Sequence, residues 1–311
     1  MSPPRYLSPL RYPGGKARMA PFLGEMFAAQ VSALEIEVWI EPFAGGAGAG
    51  LALLSDDAVG EVWLTEKNPA IAALWRAICT DGARLADRVA DAEPNMALWE
   101  QAKALVAACQ DGTALGDDID RGFAALVVNR CSRSGIVAPR VGPIGGKRQD
   151  GQWTIASRWN GPALAERIRH VAGLASRLRV REGDGIAAVE KLDDSGIEDE
   201  VLVFVDPPYL REGNRLYAHG MSMADHQRLA TALNASPARW MATYDDEPAV
   251  LTDLYPDRRV LAYAIANTAN RARIAREYAV FADHLWLPDL PELLPGADVT
   301  WVQGNADQMA A

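Results

Sequence analysis

A run of apolar residues that stops at Asp206-Pro207-Pro208-Tyr209 constrains this chain more than any other feature. Leu202 to Val205 are β-formers without polar alternation, the pattern of a parallel strand covered on both faces. The two prolines end ladder hydrogen bonding and stiffen the backbone just past the strand's carboxyl end. In open α/β sheets, ligands bind at that end of the strands. The groups displayed there are a carboxylate, a proline carbonyl and a flat ring. They suit a planar molecule with an exocyclic amino group, offering two acceptors for its N–H bonds and a π surface for stacking. Asp and Pro also serve ordinary turns, so the segment has to be weighed with the rest of the chain.

Strand-like segments recur at 37–41, 61–66, 178–182, 202–205 and 239–244, and an amphipathic helical stretch at 223–234 precedes the last of them. Alternating β and α segments predict a doubly wound, largely parallel sheet. Segments 259–265 and 277–281 predict an antiparallel pair at the sheet edge, joined by a polar loop. The alternation fails over 75–175, where alanine-rich helical sequence (85–108, then 119–129) leads into a glycine- and proline-rich stretch at 131–151. A connection of that length is functional more often than not. The expected organisation is a discontinuous core domain (1–74 and 176–285), an inserted module (75–175) and a loosely attached surface tail (286–311).

Net charge is −10, but its distribution matters more than its sum. From Arg121 to Arg181, twelve positive side chains face only Asp150 and Glu166, so the stretch is +10 and the remainder −20. A basic face on an acidic body predicts contact with a polyanion such as nucleic acid. A solvated helix surface would mix both signs. The first eleven residues hold three prolines and no apolar core, and no apolar run approaches membrane-spanning length. A cytoplasmic protein without a membrane partner is expected. Cys79, Cys109 and Cys131 have no paired spacing and read as reduced thiols. His170, His219, His226 and His284 show no metal-ligand spacing, so no metal site is expected.

Glu41-Pro42-Phe43-Ala44-Gly45-Gly46 follows the first core strand and opens a helix, which suits close approach of a ligand to backbone. It matches neither the dinucleotide fingerprint nor the P-loop. The next strand ends in Glu66, about twenty residues on, placed to accept ribose hydroxyls. The third ends in Gly183-Asp184, where an acid can accept a nucleobase amino group. Upstream, Tyr12-Pro13-Gly14-Gly15-Lys16 offers a ring, paired glycines and an ammonium that can neutralise a carboxylate. Together these predict a nucleoside cofactor without a bound phosphate.

In order along the chain, Tyr12 to Lys16, Glu41 to Gly46, Glu66, Asn129-Arg130 with Ser134-Gly135, Asp206 to Tyr209 and Thr243-Tyr244-Asp245 resemble the Dam-type (D12 class) DNA adenine-N6 methyltransferases. The resemblance runs from about residue 8 to 284. It implies a Rossmann-like S-adenosylmethionine-dependent methyltransferase sheet with an inserted, mostly helical target-recognition module. It also implies methyl transfer from S-adenosylmethionine to an adenine flipped out of double-stranded DNA. Asp206, Pro207, Pro208 and Tyr209 are the implied catalytic set. There Asp206 and the Pro207 carbonyl accept the N6 hydrogens while Tyr209 stacks on the ring. Tyr12, Lys16, Phe43, Gly45, Glu66, Asp184 and Asp206 are the implied cofactor contacts. Arg130, Arg133, Ser134, Lys147 and Arg158 are the candidate DNA contacts. A monomer is expected, and the family leaves room for a cognate restriction endonuclease as partner.

One departure separates this chain from the best-known members. Where they carry an aromatic and an asparagine after the Asn-Arg pair, Arg133 and Ser134 stand here, so recognition of GATC does not carry over. Cytosine-C5 methylation is disfavoured because no cysteine follows a proline. Cytosine-N4 enzymes usually carry Ser before the two prolines. RNA or protein glutamine as substrate, and a non-enzymatic DNA-binding module, remain as alternatives.

Overall fold

The computed structural model describes residues 6–12, 15–31, 36–133, 135–138, 141–192, 196–197, 199–211, 220–267, 273–287 and 299–304. These residues form a mixed α/β fold around one sheet, mostly parallel on its β1–β5 side. Strand β1 (Val38–Glu41) lies between β2 (Glu61–Glu66) and β4 (Val201–Val205) and is parallel to both. Beyond β2 lies β3 (Leu178–Glu182), and beyond β4 lies β5 (Arg239–Asp245), again parallel. The neighbouring strands β1 and β4 thus belong to the two halves of the doubly wound order, and a crevice opens beyond their carboxyl ends. Every residue of β4 is buried, as its uninterrupted apolar run requires. Trp39 of β1, fully buried, stacks on Phe204 of β4 with ring centroids 5.4 Å apart.

The expected antiparallel pair forms, but it does not end the sheet. Strand β7 (Arg273–Phe281) inserts between β5 and β6 (Arg259–Asn267), antiparallel to both, and β6 is not the edge. Strand β8 (Thr300–Gln303) pairs antiparallel with β6. Part of the stretch expected as loose tail is therefore a ladder strand. It is pinned by the Gln303 amide, which donates to the carbonyls of Tyr255, Pro256 and Arg258. A four-residue strand has too little periodicity to announce itself in a proline-rich stretch. The loop joining β6 to β7 (268–272) and positions 288–298 lie outside the described residues.

Helix α1 (Ala20–Val31) precedes β1 and α2 (Gly48–Ser55) follows it. Between β2 and β3 stand helices α3 (Pro69–Asp91), α4 (Met96–Gln110), α5 (Asp118–Cys131) and α6 (Gly161–Ala172). Each starts at a side-chain cap: Asn68, Asn95, Asp117 and Asn160 accept backbone N–H bonds from the first turns. The expected boundary at residue 75 falls inside α3, whose first turns are buried against the core. The helical sequence expected over 85–108 breaks at 92–95, where Pro94 cannot continue a helix. Helix α5 crosses α3 closely enough that a Cβ on Gly122 would sit 2.6 Å from Leu74 Cα. No helix among the described residues is long and apolar enough to cross a membrane.

Candidate active site

The carboxyl ends of β1 and β4, the turn after β2 and the N-terminal segment converge on one cleft of about 1240 Å3, its open mouth included. Tyr12, Lys16, Phe43, Gly45, Glu66, Asp184, Asp206 and Pro208 all line it. Residues expected to act together from five separate stretches of sequence are therefore assembled in one place. Pro207 is buried, and Tyr209 stands just behind Lys16. Pro13 and Gly14 lie outside the described residues.

The glycine turn is shaped by its neighbours. Gly45 has φ +46°, and a Cβ there would come within 2.7 Å of the Tyr12 ring. The Gly45 carbonyl accepts from Trp75 Nε1 at 3.0 Å, and its N–H donates to Glu66 at 2.8 Å. Glu66 accepts on its other oxygen from the Asn68 N–H at 2.7 Å, and the Lys67 N–H also bonds the carboxylate. Burial pushes the Glu66 carboxyl up to about 7, against the pull of these backbone bonds. Glu41, which takes Trp39 Nε1 at 3.0 Å and the Gly50 N–H at 2.5 Å, is raised to about 7 by the same burial.

Asp184 lines the cleft with both of its oxygens already engaged. Its Oδ1 caps helix α7 (Gly185–Glu190) through the Ile186 and Ala187 N–H groups, and its Oδ2 holds Lys67 at 2.8 Å. A nucleobase amino group would have to compete with Lys67 for this carboxylate.

Lys16 and Asp206 form the centre of the site. The ammonium is 2% exposed and lies 3.0 Å from Asp206 Oδ1, whereas the Asp206 side chain is 26% exposed toward the cleft. Thr243 of β5 donates to the same Oδ1 at 2.7 Å. Both donors occupy one oxygen, so Oδ2 has no partner among the described residues and faces what enters. Lys16 also lies 3.6 Å from Glu277 of β7, and 5.0 Å from the centroid of the Tyr209 ring. Burial works against the ammonium, but Asp206 and Glu277 outweigh it and hold its pKa above the usual lysine range.

Glu277, buried, accepts from the Tyr209 and Tyr263 hydroxyls at 2.9 Å each. It had not been singled out from the sequence. The available signal was a carboxylate inside an otherwise apolar run, Glu277 to Phe281. Asp245, at the end of β5, accepts from the Leu210 and Arg211 N–H groups and fixes the turn that follows Tyr209. Met221 and Asp225, at the start of the helix Met223–Ala235, also line the cleft; their signal was the capping pair Ser222 and Asp225.

The expected DNA contacts separate into two groups. Arg130 is buried, and its Nε and Nη2 both donate to the Pro9 carbonyl. Burial, with Arg167, Arg11 and Arg158 nearby, pushes its pKa down to about 9. Asn129 accepts the Arg11 N–H and donates to the Arg11 and Gly135 carbonyls. The Asn-Arg pair is thus a latch that fixes the segment leading into Tyr12 and Lys16, and Arg130 is not placed to meet an outside ligand. Arg133, Lys147 and Arg158 are exposed. They belong to the stretch after α5, which Gln149 braces by donating to the Ile144 and Gly146 carbonyls and accepting the Ile155 N–H. Ser134 lies outside the described residues.

The other reactive side chains serve packing. Burial raises the Cys79 thiol to about 11 and the Cys131 thiol to about 12, far from a nucleophilic thiolate. His170 bonds Ser55, His284 bonds the Ala238 carbonyl, and His226 is buried against Tyr244; His219 is outside the described residues.

No curated protein matches the chain. Among solved structures, protein LPL1258 from Legionella pneumophila str. Philadelphia 1 aligns over 93% of this chain and 97% of its own, at 10% identity and a TM-score of 0.38. Residues 12–104, the stretch that supplies Tyr12, Lys16, the Glu41–Gly46 turn and Glu66 to the cleft, match the family model of the D12 class N6 adenine-specific DNA methyltransferases.

Proposed function

We propose that this protein is a site-specific DNA adenine-N6 methyltransferase that uses S-adenosylmethionine and acts on an adenine rotated out of the duplex. The observation that carries the reading is the state of Asp206. It is a carboxylate at the end of β4 with one oxygen fixed by Lys16 and Thr243 and the other offered to the cleft.

The donor set suits a nucleoside bearing a cation. Five acids (Glu41, Glu66, Asp184, Asp206 and Asp225) and two lysines line the cleft. Tyr12, Lys16, Phe43, Gly45, Glu66, Asp184 and Asp206 would hold S-adenosylmethionine, with Glu66 accepting from its hydroxyls. When bound, that molecule supplies an activated methyl group. Asp206 Oδ2 and the Pro207 carbonyl accept the two N6 hydrogens of the target. That draws the nitrogen lone pair out of conjugation and sets a fixed negative charge where positive charge develops. Lys16 and Thr243 hold the Asp206 carboxylate in one orientation, so the reaction depends on positioning and needs no covalent intermediate. Tyr209, tethered to Glu277, provides the stacking face that offsets part of the few kcal/mol cost of unstacking a base.

Duplex docking is assigned to the helical module 75–175, through Arg133, Lys147 and Arg158. The test is methyl transfer to adenine-containing DNA, followed by nucleoside mass spectrometry. N6-methyladenine is expected with the wild-type protein. Asp206→Ala should lower the rate by about a thousandfold or more while leaving the fold and most DNA affinity intact. Full residual activity would remove Asp206 from the mechanism, and N4-methylcytosine as the product would overturn the adenine assignment.

A further inference from the structure

Glu277 does not itself line the cleft, yet it closes the network behind Lys16, which does. It lies on β7, opposite Asp245 of β5 and beside Tyr263 of β6. Its carboxylate binds the hydroxyls of Tyr209 and Tyr263 and lies 3.6 Å from Lys16. If Lys16 met Asp206 alone, one ammonium would cancel one carboxylate and the innermost part of the cleft would be neutral. With Glu277 present, one cation stands between two anions, and the trio carries a net charge of −1.

We infer that Glu277 is a positioning residue that sets the charge of the methyl-donor site. By sharing Lys16 it leaves Asp206 under-compensated, so the cleft prefers a sulfonium over the uncharged thioether that remains after transfer. The inference rests on S-adenosylmethionine being the donor. Asp225, facing the cleft from the helix Met223–Ala235, adds to the same sign, while Lys67 is engaged by Asp184; Glu41 and Glu66, held at about 7 by burial, add only in part at neutral pH. The preference has a physical use. The donor is held while it is charged, and the attraction falls when the methyl group leaves with the positive charge.

The test compares two ligands in calorimetry, S-adenosylmethionine and S-adenosylhomocysteine, which differ by the methyl group and the charge. Glu277→Gln preserves the size of the side chain, an acceptor for the tyrosine hydroxyls and the Lys16–Asp206 pair, while removing one negative charge. The ratio of sulfonium to thioether affinity should fall about tenfold, as expected for one charge at moderate distance in a partly screened site. Thioether affinity itself should stay put. The double variant Lys16→Gln with Glu277→Gln returns the trio to −1 and should restore the ratio. An unchanged ratio in Glu277→Gln, an equal loss of both ligands, or a double variant whose ratio stays low would each overturn the inference. Failure of the wild-type protein to bind either ligand would instead sink the proposed donor.

Discussion

Lys16 and Arg133 are both cationic, and they stand at opposite ends of what a protein does with charge. The ammonium of Lys16 is 2% exposed and bound between carboxylates contributed by β4 and β7. Arg133 is exposed, and the one described bond of its side chain is a long one to the Pro143 carbonyl. A charge taken out of water must be partnered, and its partners are then fixed with it. A charge left in water costs little and keeps its freedom to meet a partner. The cleft is built on the first principle and the surface after α5 on the second. Arg130, three residues before Arg133, belongs with the cleft: it anchors Pro9 and so aims the segment carrying Tyr12 and Lys16.

Three experiments break or sharpen that contrast. The largest effect is expected from Arg130→Ala, which removes a buried guanidinium and leaves the Pro9 carbonyl without its donors. Unfolding free energy in urea should drop by about 3 kcal/mol, with no change in the salt dependence of DNA binding. A flattened salt response would return Arg130 to the DNA surface.

Next in size are effects of pH on stability. Glu41, held at about 7 by burial, keeps its proton in the fold at pH values where the unfolded chain, with its carboxyl near 4.5, has lost it. Its contribution is full below about 4.5 and is lost as pH rises through 7, by up to about 3 kcal/mol. His226, pushed down to about 4 by burial, works in the other direction. Its neutral ring leaves stability intact above about 6.5, and the loss grows as pH falls toward 4. Glu41→Gln should remove the loss of stability that accompanies a rise in pH from about 4.5 to 7, and His226→Gln the loss that accompanies a fall from about 6.5 to 4. A profile unchanged by both substitutions would count against the buried ionisations.

The smallest effect is on the surface. Arg133→Ala combined with Arg158→Ala should leave stability within about 0.5 kcal/mol. DNA affinity should weaken roughly tenfold, and the slope of log affinity against log salt should fall by about two. An unchanged slope would take the segment after α5 out of the docking surface.

Much of the site was legible because its residues sit at strand ends. Asp206, Glu66 and the Glu41–Gly46 turn each follow a readable apolar run, and a parallel sheet gathers the carboxyl ends of its strands on one side. Glu277 was not legible. On an antiparallel strand the direction is reversed, so a residue in the middle of β7 lands beside the end of β5, and no local pattern says so. The role of Asn129-Arg130 was hidden for a related reason: their partners, Pro9 and Arg11, lie more than a hundred residues upstream. The brace made by Gln149 shows the same limit, since side-chain bonds to loop carbonyls leave no periodicity.

By itself the sequence determined the class of sheet, the strands that build it, and which acids and glycines line its cleft. Those follow from local rules of burial, hydrogen bonding and backbone freedom. Only the tertiary structure decided which cations are buried and which are free, because that depends on partners brought together from distant parts of the chain. It showed Lys16 shared between Asp206 and Glu277, Asp184 spent on a helix cap, and Arg130 turned inward. The cost of placing a charge in a protein is set by what surrounds it, and surroundings are a property of the fold.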